Sequence, residues 1–120
     1  MKKIAVFSLV VFFMSCAEKQ ELSPSETAKI VVESFYAKDN NTLEKHTTDD
    51  GYNGLMMIQD MVPEQDNDAK AKILNEVIEG DTAWVKYNSV YDKKPGTFKL
   101  IKENGQWKVT SKEPREKGPF

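Results

Sequence analysis

The chain holds one cysteine, Cys16, and one histidine, His46. A single thiol forms no intrachain disulfide, which leaves Cys16 for chemistry at its own sulfur. A side-chain metal centre is not expected: there is no second histidine, and Glu64, Asp66 and Asp68 alternate without the glycine and closing glutamate of a calcium loop. They read as a solvated turn. No phosphate-cradling glycine loop, nucleophile elbow or Ser/His/Asp set is visible. The remaining titratable group of interest is His46, Asp49, Asp50 and Tyr52. There, helix capping explains the aspartates and a helix C-terminus explains an exposed histidine. Tyr52, Tyr87 and Tyr91 offer hydroxyls, although aromatics alternating along a strand are chiefly core. Met56, Met57 and Met61 offer an adaptable apolar surface or, more plainly, filling for gaps in a core.

Those residues need elements to place them, and the first element is an address. Lys2 and Lys3 precede an apolar run from Ile4 to Met14 interrupted by Ser8. At 1.5 Å per residue this run covers only about half of a ~30 Å hydrocarbon core, which suits a cleaved export signal rather than a membrane span. Phe13-Met14-Ser15-Cys16 resembles a bacterial lipobox, with Ser15 and Cys16 matching and Phe13 and Met14 departing from the commonest residues. The resemblance implies a diacylglyceryl group on the Cys16 sulfur, cleavage before it and acylation of the new amine. Two or three acyl chains make a lasting tether where one does not. On this reading residues 1–15 are a signal peptide and 16–22 a lipid-bearing tether. The protein would sit on the bacterial cell envelope, on the outer membrane in a two-membrane organism, with membrane lipid as its first partner.

Removing 15 of the 120 residues leaves 105, enough for one domain with a real core. That portion carries 15 basic and 19 acidic residues, a net charge of −4. An acidic domain without a basic stripe is a poor nucleic-acid binder. Ser23-Pro24-Ser25-Glu26 has the form of a capping box with proline in the first turn. Ala28, Val31, Val32, Phe35 and Tyr36 then follow the spacing of a helix with one buried face. Asn41 with Glu44 predicts a short second helix to about Thr47. Tyr52, Leu55, Met56 and Gln59 predict a third, closed by Pro63.

From Ala69 the period becomes two. Ala71, Ile73, Asn75 and Val77 are expected on one strand face, and Leu74 and Ile78 on the other. Gly80-Asp81 predicts a hairpin. Ala83, Val85, Tyr87, Ser89 and Tyr91 alternate with Trp84, Lys86, Asn88 and Val90. A turn at Pro95-Gly96 leads to a third strand with Phe98 and Leu100 on one face. Asn104-Gly105 then gives a hairpin into a fourth strand bearing Trp107 and Val109. The order predicts an α+β domain over 23–112, with helices in the concave face of a curved four-stranded antiparallel sheet and a polar tail over 113–120.

Helices first, then the strand motif Gly80-Asp81-Thr82-Ala83-Trp84-Val85, then Gly105-Gln106-Trp107-Lys108-Val109, resemble the nuclear-transport-factor-2-like superfamily. Within it, the pattern is most similar to small bacterial lipoproteins of domain of unknown function 4878. The resemblance implies a cone-shaped sheet with a pocket at its open end. The superfamily also contains enzymes like ketosteroid isomerase, which need a carboxylate base in an apolar pocket and an acid facing it. Here His46, Asp49, Asp50 and Tyr52 are the only such candidates, so no catalytic set and no cofactor are assigned. The expected function is a non-catalytic pocket for a small apolar or aromatic ligand, lined by some of Phe35, Tyr36, Tyr52, Met56, Tyr87, Tyr91 and Phe98. The alternative is a protein-interaction or envelope-assembly module, or a homodimer, using an outer sheet face with Trp84 and Val90 exposed.

Overall fold

The computed structural model describes residues 21–62, 70–89 and 94–120. Cys16, the acidic turn at 64–68, Val90 and Tyr91 lie outside them. Three helices precede four strands: α1 (Pro24–Ala37), α2 (Asn40–Lys45), α3 (Asp49–Gln59), β1 (Ala71–Glu79), β2 (Thr82–Ser89), β3 (Gly96–Glu103) and β4 (Gln106–Thr110). The strands form one antiparallel curved sheet in the order β1-β2-β3-β4, and the helices pack against it.

Local chemistry sets each helix start. The Ser23 hydroxyl accepts from the Glu26 N–H at 3.0 Å, and the Glu26 carboxylate accepts from the Ser23 N–H at 2.8 Å. These two bonds satisfy two donors that a helix start leaves open. Lys38, at φ 59°, closes α1 in the left-handed conformation. Asp39 rather than Asn41 caps α2, and Thr48 rather than Asp49 caps α3. Asp49 and Asp50 stand in the first turn of α3, where carboxylates favour the helix dipole.

Helix α1 lies across the sheet and touches β1, β2 and β4. Ala28, Val31, Val32, Phe35 and Tyr36 are buried, as their spacing predicts, together with Ala83, Val85, Leu100, Trp107 and Val109 from the strands. Val31, Leu43, Val85 and Leu100 are fully enclosed, and each such side chain contributes about 1.5–3 kcal/mol. Gln59 was expected only as part of a helix pattern, yet it is buried. Its amide donates to the Phe35 carbonyl and to Asn40 Oδ1, both at 3.0 Å, which ties α3 to the end of α1.

Two strand expectations are corrected. The first concerns β1, whose register to β2 slips between Ile73 and Asn75. One extra residue reverses the alternation beyond it. Asn75 and Val77 therefore pair with Lys86 and Trp84 on the outer face, while Glu76 and Ile78 pair with Val85 and Ala83 on the inner one. Glu76 then reaches the first turn of α1 and accepts from the Ser25 N–H and hydroxyl.

The second concerns Trp84, expected to be exposed but only 4 % accessible. The polar tail folds over it as a strap. Lys99 pairs with Glu116 at 2.8 Å, and Gly118 lies so close to the indole that a Cβ there would stand 2.7 Å from the ring. The Lys99 hydrogen bond, aided by the Glu113 N–H, holds the Glu116 carboxyl below its ordinary range.

Candidate functional site

An apolar cavity of about 260 Å³ lies at the C-terminal end of α1. Val32, Phe35 and Tyr36 enter it from α1, and Tyr87 and Phe98 from the facing strands. Leu55, Ile58 and Val62 line it from α3 and the turn after it. The geometry follows from alternation on the sheet and 3.6-residue periodicity on the helix, which bring one face of each to the same space. Phe35 and Tyr36 meet edge to face, with centroids 5.2 Å apart and planes at 86°. Tyr87 and Phe98 lie 4.6 Å apart at 32°. Gly96 lets this second pair form, because a Cβ there would strike the Tyr87 ring.

Ile58 lines the cavity and is 46 % exposed, and Met57 and Met61 beside it in the chain are 77 % and 73 % exposed. The expectation that these methionines fill core gaps is therefore corrected at Met57 and Met61. Met56 is half-buried and packs against the core.

Of the residues expected at a pocket, Phe35, Tyr36, Tyr87 and Phe98 line this one. Tyr52 and Met56 pack on the core without lining it, and Tyr91 is outside the described residues. Val32, Leu55, Ile58 and Val62 were not anticipated. The spacing of Leu55, Ile58 and Val62 (i, i+3, i+7) is the signal that would have found them. No carboxylate lines the cavity among the described residues. Asp49 and Asp50 are exposed on α3, and His46 Nδ1 donates to the Thr42 carbonyl at 2.9 Å.

His46 instead borders a second, larger cavity of about 800 Å³. Thr27, near the start of α1, stands in its wall with Trp107 and the Asn104-Gly105 turn. Asn104 and Gly105 both take positive φ, 54° and 79°, as a tight hairpin requires. Among the described residues no group of three or more acidic, histidine or cysteine side chains could hold a metal ion. No described helix is long and apolar enough to cross a membrane. Comparison with family models, curated proteins and solved structures finds no match.

Proposed function

We propose that the protein is a membrane-anchored extracytoplasmic lipoprotein whose domain binds a small apolar or aromatic ligand between α1, α3 and the inner sheet face. The observation that carries this is the cavity bounded by Val32, Phe35, Tyr36, Leu55, Ile58, Val62, Tyr87 and Phe98, an apolar and aromatic wall whose space no side chain of the described residues fills. Close packing is the norm in protein interiors. An apolar void of about 150 Å³ is enough to hold benzene, so 260 Å³ suits a ligand of one or two fused rings. The basic start, the short apolar run and Ser15-Cys16 support the anchored location, and the helices-then-sheet order agrees with the cone expected of nuclear-transport-factor-2-like lipoproteins.

The interaction-module reading is weaker on the outer face, because the strap covers Trp84. The test is titration of the purified protein with 2-naphthol, followed by calorimetry, beside a Leu55→Trp variant that fills the cavity. Saturable binding, abolished by Leu55→Trp without loss of stability, is the expected result. Absent binding, or binding indifferent to Leu55→Trp, would refute the pocket.

A further inference from the structure

We infer that the larger cavity at the opposite end of α1 is a second binding site, one for a phosphate ester. It is separate from the aromatic cavity: Thr27 and Phe35 are eight positions apart on α1, about 12 Å along the axis, and the two cavities share no lining residue.

The first reason is an incomplete hydrogen bond. Hydroxyls buried on helices usually return to a carbonyl one turn back. Ser34 does so to Ile30 at 2.6 Å, and Thr47, just past the end of α2, to Leu43 at 2.9 Å. Thr27 is only 1 % exposed, yet its hydroxyl has no partner among the described residues, although its N–H bonds the Ser23 carbonyl in the ordinary way. A buried hydroxyl left open is costly, and Thr27 is one of the residues that line the cavity.

The second reason is the charge around it. Lys45 and Lys108 border the cavity. Lys45 makes no ion pair among the described residues, and Lys108 has only a 3.6 Å contact with Glu103. The bond from His46 Nδ1 to the Thr42 carbonyl fixes the ring with Nε2 as an acceptor, so the imidazole lines the cavity without donating to an anion. Two ammoniums and a hydroxyl offer donors to the three free oxygens of a phosphate monoester, and the Glu21 carboxylate, which also lines the cavity, is held by Lys102 at 3.5 Å. Leu22 and Trp107 supply an apolar wall for the group the phosphate is attached to.

Such an ester could be soluble or a lipid headgroup. Leu22 is six residues beyond Cys16, so on the anchored reading this end of the domain stays within about 20 Å of the bilayer. Only the lipid source rests on that reading.

The two tryptophans provide a direct test, since Trp107 lines the cavity and Trp84 lies under the strap. The full chain, labelled with ¹⁵N-tryptophan, is titrated with glycerol 3-phosphate and with dihexanoyl phosphatidic acid below its micellar concentration, at fixed ionic strength. The Trp107 indole signal is expected to move saturably with at least one ester, and the Trp84 signal to stay. Equal affinities identify a soluble ester as the source, and a clear preference for the phosphatidic acid identifies the headgroup. Lys45→Gln with Lys108→Gln weakens binding by about tenfold or more. Thr27→Val weakens binding without lowering the melting temperature, whereas a hydroxyl with only a structural role would leave binding unchanged. No movement of Trp107 with either ester, or affinity indifferent to all three substitutions, overturns the assignment.

Discussion

Helix α3 carries two glycines three residues apart, and the same substitution at each should have opposite effects. At Gly51 an added Cβ would fall inside contact distance of the Val109 carbonyl oxygen and 3.0 Å from Thr110 Cα, both backbone atoms of β4. Relief requires moving the start of α3 off the strand. That motion strains the Thr48 N–H to Val109 O bond at 2.9 Å and the Val109 N–H to His46 O bond at 3.0 Å. Overpacking costs about 1–3 kcal/mol, and weakening two hydrogen bonds adds about 0.5–1.5 kcal/mol each. The helical preference of alanine returns at most about 1 kcal/mol. Gly51→Ala is therefore expected to destabilise by about 2–3 kcal/mol. At Gly54 nothing lies within 4 Å of the added Cβ, so Gly54→Ala should stabilise by about 0.5–1 kcal/mol. For a domain of this size each kcal/mol moves Tm by about 4–8 °C, so the two variants should melt at least about 10 °C apart. Urea unfolding and thermal melts followed by circular dichroism measure both. Shifts of the same sign, or a Gly51→Ala protein as stable as the parent, would refute the close approach of α3 to β4.

Deleting residues 113–120 is expected to expose Trp84 and shift its emission to longer wavelength, read in a Trp107→Phe background. The same signal should respond to acid. The Glu116 pKa is lowered in the fold, so its contribution is present above the ordinary carboxylate value of 4.5 and lost as pH falls through the lowered value; Glu116→Gln should remove that step. Gln59→Leu keeps the volume but removes the donor to Phe35 O and Asn40, and should cost about 1–3 kcal/mol by denaturant unfolding. Cys16→Ser should abolish lipid modification in mass spectra of the N-terminus and release the protein from pelleted envelopes; continued processing and pelleting would defeat the anchored reading.

Much of the fold was legible because it is written in local signals. The capping box, the apolar spacing of α1 and the two hairpin turns each act within a few residues, and together they order the elements. What was not legible depends on partners distant in sequence. Leu74 carries no mark of a bulge; the slip emerges when β1 meets β2, and it carries Glu76 to the N-terminus of α1. Gln59 looks like a surface residue until the open carbonyl of Phe35 is brought to it. Trp84 alternates to the solvent side of its strand, and only the tail's return from Lys112 onward encloses it. The candidate site divides the same way. Its aromatic half follows from strand alternation, whereas Leu55, Ile58 and Val62 join it because α3 turns its stripe toward the sheet.

The backbone at the two margins of the sheet bears on how copies of this protein can meet. Along β4, residues 46–48 occupy the free margin, with a parallel bridge from Thr47 to Val109 and hydrogen bonds on either side of it. Along β1, the Leu74 slip breaks the regular ladder, and Lys72 and Glu79 place charges beside it. Both margins thus resist zipping onto a neighbouring strand. A crowded population of these molecules would stay free of the strand-to-strand fusion that seeds fibrils.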